Sequence, residues 1–244
     1  MPYSLYREKN NFHHDKPWVA VFGMLLSAVA GFVNAVLLGI YHVPVSHMSG
    51  AVSRMAIDLS TSNRPDFKGA LAIFAGFLCG AILSGMIIGS AKLRPGRRYG
   101  VAMMIEGALL CAATLLLLTN NSIGIPLAAM ACGLQNAMAS SFYGLIIRTT
   151  HATGMVTDIG VLLGQFLRYR RIEVWKLALL TLLLCGFFTG GVLGALAYTR
   201  IGIPSLFLAA AGCSLAGLGY YIWRRRHIDD FVIDRWGVPS PEDM

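Results

Sequence analysis

Residues 18–40 read WVAVFGMLLSAVAGFVNAVLLGI, an apolar stretch without a charged side chain. A helix of about 20 apolar residues spans the hydrocarbon core of a bilayer, which is roughly 30 Å thick, so this stretch predicts a transmembrane helix. Five further stretches share its length and apolar character, namely residues 70–91, 99–118, 125–147, 174–198 and 203–223. The sequence therefore predicts an all-α integral membrane protein with six transmembrane helices.

The composition of the chain supports a membrane protein. Of its 244 residues, 56% are hydrophobic and only 13% are charged, and the mean hydropathy is +0.62. Too few polar side chains remain to cover a water-soluble globule. The net charge of +8 comes from short basic clusters that flank the apolar stretches, and this distribution argues against a nucleic-acid-binding surface.

Two shorter apolar stretches, residues 50–59 and 154–167, fall short of a span at about 1.5 Å of rise per residue. We interpret them as half-helices that enter the membrane and return. Lys and Arg side chains concentrate on the cytoplasmic side. With six spans and cytoplasmic termini, sixteen of the twenty basic side chains lie inside, whereas eight spans give thirteen inside, six outside and Arg54 within a span. This count favours six spans.

The start of the chain and the cysteines each allow an alternative interpretation. Residues 28–30 read AVA, which is typical of a signal-peptidase site, but the apolar run continues to Leu38, so we expect an uncleaved first span. The cysteines lie within apolar stretches without a CxxC pattern, and we expect packing residues rather than disulfides or metal ligands. They are Cys79, Cys111, Cys132, Cys185 and Cys213.

The chain contains two copies of one pattern, at offsets of 102 to 106 residues. The matching segments are GFVNA at 31–35 and GLQNA at 133–137, HMSG at 47–50 and HATG at 151–154, CGAILSG at 79–85 and CGFFTGG at 185–191, and RPG at 94–96 and RIG at 200–202. Each copy comprises a span, a half-helix and two spans. Because three spans is an odd number, the second copy enters the membrane inverted. Transporters built as inverted repeats bind their substrates near the midplane, at interrupted helices.

This repeat defines the expected organisation of the chain. We assign residues 1–17 to a cytoplasmic leader and residues 224–244 to a cytoplasmic tail, because both carry basic side chains next to a span. Residues 18–118 form the first membrane repeat, and residues 119–223 form the second.

The paired pattern, G-x-x-N-A followed by a Ser/Thr-Gly that opens a short helix, resembles the YoaK-like family of bacterial inner-membrane proteins. The resemblance covers residues 18–223. The family usually has Asp where Asn34 stands, and Thr-Gly-Asn where Ser49-Gly50-Ala51 stand. The resemblance implies a six-span protein of the bacterial inner membrane. Since the family has no settled activity, it implies no functional residue.

Polar groups within a membrane are costly and often functional, and here they cluster at the repeated breaks. Ser49 and Thr153 are favourable N-cap residues, and they precede Gly50 and Gly154 at the predicted starts of the half-helices. Half-helices that begin near the midplane direct their unpaired N–H groups and positive dipole ends at one another. Such a site favours an anion or a hydrogen-bond acceptor.

Charged and titratable residues extend this candidate site. Arg54 and Asp158 occupy equivalent positions one turn into the half-helices. They are expected to form a gate or substrate clamp, or else a structural ion pair, with Arg54 alternatively extending outward to the membrane surface. His47 and His151 either carry protons or cap backbone carbonyls.

Four further polar residues fall within or beside the predicted spans. Asn34, Gln135 and Asn136 either line a cavity or join helices by hydrogen bonds. Glu106 is the one acidic side chain in the middle of a predicted span, and we expect it to bind a proton or cation. Asp58, near the outer end of its half-helix, is expected to be solvated.

The leading functional hypothesis is a permease or channel for a small solute, with anions favoured by the two helix N-termini. The alternative is a non-transporting scaffold, sensor or assembly factor that acts through basic cytoplasmic loops and the tail. An intramembrane enzyme is disfavoured because no Ser/His/Asp order, HExxH or paired-acid motif is present, and we expect no cofactor or bound metal. The expected partners are the lipid bilayer and a small molecule or ion, and glycine-rich helix faces are compatible with a homodimer.

Overall fold

Eight α-helices and one 3₁₀ turn make up the described residues of this computed structural model, which are 17–41, 45–61, 63–89, 96–141 and 149–226. In order they are α1 (Pro17–Tyr41), α2 (Met48–Ser60), α3 (Arg64–Ile88), α4 (Arg98–Leu118), α5 (Gly124–Ser141), α6 (Ala152–Tyr169), α7 (Val174–Ile201), the 3₁₀ turn (Ile203–Ser205) and α8 (Leu206–Arg226). These residues contain no β-strand, so the prediction of an all-α protein is confirmed for them.

Five of the helices are long and apolar enough to cross a membrane: α1, α3, α4, α7 and α8 with its preceding turn. They indicate a multi-pass membrane protein. The remaining predicted span, residues 125–147, corresponds to α5 as far as Ser141, and its residues 142–148 lie outside the described part of the chain. In the described residues α5 does not meet the same standard of length and hydropathy.

The composition of α5 reflects its central position. It packs against α3 and α4 and also touches α1. Leu134, Gln135 and Met138 are each at most 1% exposed. A helix that is surrounded by other helices need not present an apolar surface to lipid. Polar side chains such as Gln135 and Asn136 can therefore replace apolar ones, and they lower the mean hydropathy of α5.

The helices pack in three principal pairs: α1 with α7, α3 with α5, and α4 with α8. Each pair joins a helix of residues 18–118 to a helix of residues 119–223. The two halves of the chain are therefore interleaved. The short helices α2 and α6 pack against the helix that follows each of them, α3 and α7 respectively.

Glycines bring the backbones of the paired helices into direct contact. A Cβ atom at Gly80 of α3 would collide with the carbonyl oxygen of Met130 on α5, and one at Gly190 of α7 would collide with that of Ala28 on α1. Close approach of this kind is a main source of helix association in membranes, where the hydrophobic effect between helices is weak. The glycines thus serve helix packing at these positions, whereas Gly85 faces open space.

The α1–α7 and α3–α5 contacts share one pattern of close approaches. In the α3–α5 pair, the contacts are Gly76 with Pro126, Gly80 with Met130, and Gly133 with Phe77. In the α1–α7 pair, the corresponding contacts, in the same order, are Gly186 with Met24, Gly190 with Ala28, and Gly31 with Phe187. The α1 and α5 positions differ by 102 in every case, as the repeat in the sequence predicts. The α3 and α7 positions differ by 110. The sequence match of CG at 79–80 with CG at 185–186 has an offset of 106, so it is shifted by one helical turn from the register in which the helices pack.

Two substitutions in α3 test this packing. Gly80→Ala places a methyl group against the backbone of α5, and overpacking of this kind costs about 1–3 kcal/mol. Gly85→Ala meets nothing within 4 Å and gains about 0.5–1 kcal/mol from the better helix propensity of alanine. We expect opposite shifts of the thermal unfolding midpoint of the purified protein in detergent. Equal shifts would contradict the α3–α5 contact.

Candidate functional site

The short helices α2 and α6 begin at equivalent positions of the repeat. Their N-cap residues are His47 and His151, and neither imidazole makes a capping hydrogen bond. The backbone N–H of Gly50 donates to the His47 carbonyl at 3.0 Å, and that of Met155 donates to the His151 carbonyl at 3.0 Å.

The prediction of Ser49 and Thr153 as N-caps is therefore wrong. Because the carbonyls of His47 and His151 accept the first hydrogen bonds, each helix begins before the predicted N-cap residue. Ser49 and Thr153 consequently lie within the first turns of α2 and α6.

The two short helices differ in length. With 13 residues α2 is about 20 Å long and cannot span a hydrocarbon core, as predicted for a half-helix. With 18 residues α6 is about 27 Å long, which exceeds the predicted segment 154–167. Neither helix is among the five that are long and apolar enough to cross a membrane.

The helix pairing brings these two short helices together. In the chain α2 connects α1 to α3, and α6 connects α5 to α7. Since α1 pairs with α7 and α3 pairs with α5, both short helices link the same two pairs. The two N-cap imidazoles, His47 and His151, are close enough to interact electrostatically. The N-termini of α2 and α6 consequently share one region, which we call the tip site.

A hydrogen-bonded chain supports the first histidine of the tip site. The hydroxyl of Ser46 donates to Oδ1 of Asn34 at 2.8 Å and lies 3.1 Å from Nδ1 of His47. Because this hydroxyl has a single proton, which it donates to Asn34, the second contact is a hydrogen bond when Nδ1 of His47 carries a hydrogen. The imidazole also packs edge-on against Phe187 of α7, with 5.9 Å between ring centroids. Asn34 thus fixes one end of a chain that orients His47.

The second histidine is positioned in a different way. A Cβ atom at Gly154 would collide with Nδ1 of His151. The imidazole therefore lies over the first turn of α6, in space that only glycine leaves open. Gly154 matters for its missing side chain rather than for a special backbone conformation.

Polar groups just before His151 are buried. Thr149 is fully buried and Thr150 is 4% exposed. The Ser27 hydroxyl of α1 lies 2.9 Å from the carbonyl oxygen of Thr149 and 2.8 Å from that of Leu183 on α7. In the described part of the chain, the buried atoms Thr149 Oγ1 and Asn136 Oδ1 have no hydrogen-bond partner. Such unsatisfied groups are uncommon in proteins and are often completed by water or a ligand.

Sequence reasoning missed these supporting residues. Ser46 and Thr150 stand at equivalent places, each directly before its histidine, so the matched segments extend one residue further than predicted. A hydroxyl residue at this place in both copies was the available signal. Ser27 has no such counterpart, because position 129 in the second copy is alanine.

Of the three amides predicted to line a cavity or join helices, Gln135 joins helices. Its Nε2 donates to the backbone carbonyl of Leu26 on α1 at 2.8 Å, with both groups buried. This bond links the central helix α5 to α1. Asn34 makes the hydrogen bond to Ser46 described above.

Arg54 forms ion pairs near its own helix. Its Nε lies 3.2 Å from Asp58, and its Nη2 lies 3.0 Å from Asp66 in the first turn of α3. Asp58 is four residues further along α2, the spacing that brings side chains together on one helix face. The ion pair of Arg54 with Asp158, one of the alternatives for these two residues, is not formed, and Asp158 is exposed. The expectation that Asp58 is solvated is wrong, because Asp58 is only 2% exposed.

The two aspartates give a matched test of this pairing. Asp58→Asn keeps the shape of a buried side chain but removes the charge that faces Arg54, and we expect a lower thermal unfolding midpoint than in the unmodified protein. Asp158→Asn changes an exposed side chain and is expected to stay within about 0.5 kcal/mol. Thermal unfolding in detergent measures both. A larger effect at Asp158 would instead favour a pair between the short helices.

Comparison with known protein families matches residues 22–219 to a family described as a protein of unknown function, DUF1275. The match extends from α1 to α8 and agrees with the resemblance to YoaK-like proteins. No curated protein and no solved structure matches the chain. Since the family match covers well over half of the chain, the protein belongs to the DUF1275 family.

Proposed function

We propose that the protein is a permease or channel for a small solute, and that the solute passes the tip site. The observation that carries this proposal is that α2 and α6 link the same two helix pairs, which brings His47 and His151 within electrostatic range of each other. These residues are 104 positions apart in the chain, and each begins a short helix. Two helix N-termini in one region concentrate backbone N–H donors and positive dipole ends.

The chemistry of the tip site favours an anion or a hydrogen-bond acceptor. Neither histidine side chain caps its helix. Apart from those of Gly50 and Ala152, which donate to backbone carbonyls, the N–H groups of the first turns are therefore available to a ligand. The buried hydroxyl of Thr149, two residues before His151, is a further hydrogen-bond donor, because it lacks a partner among the described residues.

The packing supports an architecture used by transporters. The α1–α7 and α3–α5 pairs share three close approaches at fixed offsets of 102 and 110. This correspondence supports an inverted repeat, in which α5 is the sixth span and the tips of α2 and α6 meet near the midplane. The excess of basic side chains on one side of the six-span topology supports cytoplasmic termini, and the resemblance to YoaK-like proteins supports a bacterial inner membrane.

A flux assay with two glycine variants tests the proposal. Gly154→Ala displaces the flexible ring of His151 rather than backbone, so we expect the protein to fold with an altered tip site. Gly160→Ala, two turns further along α6, meets nothing within 4 Å. In proteoliposomes we expect the unmodified protein to carry at least one member of a panel of small anions and neutral metabolites. Gly154→Ala should lower that flux several-fold, and Gly160→Ala should leave it unchanged.

Two outcomes would contradict the proposal. One is no flux of any member of the panel by folded, reconstituted protein. The other is an equal effect of the two variants on a flux that does occur, because the solute would then pass elsewhere than the tip site.

A further inference from the structure

Glu106 occupies a buried contact among three helices. It lies in the middle of α4, which packs against α8 and α5, and it is 1% exposed. The neighbouring Gly107 brings α8 directly onto α4, because a Cβ atom there would collide with the side chain of Ser214 and approach the carbonyl oxygen of Ala210 to 2.6 Å. This close contact holds α8 against α4 at the residue next to Glu106.

Among the residues that the structure describes, no compensating charge pairs with this carboxyl group. Cys213 of α8 places its Sγ atom 3.4 Å from Oε1, and Cys132 of α5 lies within electrostatic range. Oε2 has no hydrogen-bond partner among the described residues. Both ion pairs between described residues belong to Arg54. A thiol is a weak hydrogen-bond donor, so these neighbours give an ionised carboxylate little stabilisation.

A buried carboxylate without a cationic partner is far less stable than the neutral acid. A metal cation such as Na⁺ or Ca²⁺ would require several oxygen ligands, whereas the one side chain that hydrogen-bonds to Glu106 among the described residues is the thiol of Cys213. A proton needs only one carboxylate oxygen. The contact is thus suited to a proton rather than to a larger cation.

We propose that Glu106 is a proton-binding site that is occupied while α4 and α8 are in contact and that exchanges its proton with water when this contact opens. On opening, the O–H bond of the acid breaks, and the proton passes to a water molecule while the carboxylate keeps the electron pair. Proton binding at Glu106 then stabilises the closed contact, and proton release stabilises the open one. The proposal does not depend on permeation at the tip site.

Infrared difference spectroscopy of the purified, full-length protein tests the protonation state. The spectrum of the unmodified protein minus that of Glu106→Gln at neutral pH is expected to show the C=O stretching band of a protonated carboxyl group. Glu173→Gln is the matched control, because Glu173 is exposed just before α7. Its difference spectrum is expected to show only the bands of an ionised carboxylate. Carboxylate bands in the Glu106→Gln difference would overturn the proposal.

Deuterium exchange tests the link to the α4–α8 contact. In D₂O the protonated-carboxyl band shifts as the proton is replaced, and we expect slow exchange in the unmodified protein. Gly107→Ala separates α4 from α8 and should accelerate this exchange several-fold, whereas Gly212→Ala meets nothing within 4 Å on α8 and should not. Should Gly107→Ala fail to fold, the exchange rate in the unmodified protein still tests whether the proton on Glu106 is shielded from water. Exchange as fast as that of surface groups would overturn the occluded site.

Discussion

The structure depends on direct backbone contact between helices that are distant in the chain. Gly80 against Met130 and Gly190 against Ala28 are representative of these contacts. Lipid chains are as apolar as the helix surfaces, so the close approach of backbones replaces the hydrophobic effect as the main source of helix association. Each principal pair takes one helix from each half of the chain. Neither half can form these contacts alone.

This interleaving also determines where polar groups meet. Because α2 and α6 connect the same two helix pairs, their first residues converge, and His47 comes within electrostatic range of His151. The Asn34–Ser46 hydrogen bond orients one histidine, and the missing side chain of Gly154 accommodates the other. Helix pairing thus creates a site from two loops that are far apart in the sequence. Glu106 belongs to a different contact, that of α4 with α8 and α5.

Much of this arrangement could be predicted because repeated segments report equivalent environments. The offset of 102 between the α1 and α5 segments is also the offset of their close contacts, and the matched histidines identified both short helices. The offset of α3 and α7 could not be obtained in this way. Glycines recur near every fourth position in both helices. Shifting the alignment of α3 with α7 by one helical turn therefore matches glycine with glycine again. Only the contacts with the partner helices distinguish the two alignments.

Other details depend on neighbours that a linear pattern does not reveal. The exposure of Asp58 is set by α3 and by Arg54 on the same helix, whereas its position near a helix end suggested solvent. The low hydropathy of α5 is explained by its central place. The helix starts at Met48 and Ala152 reflect hydrogen bonds to the histidine carbonyls, and residue type alone favoured Ser49 and Thr153.

The convergence of α2 and α6 is tested most directly by a distance between their first turns. Ser49 and Thr153 are both exposed and occupy equivalent positions, so cysteines introduced there in a background without native cysteines can carry spin labels. Pulsed electron resonance on the reconstituted protein should give one narrow population, with a separation well below the length of α2, about 20 Å. A broad distribution, or a separation greater than that length, would contradict a shared site at the two helix N-termini.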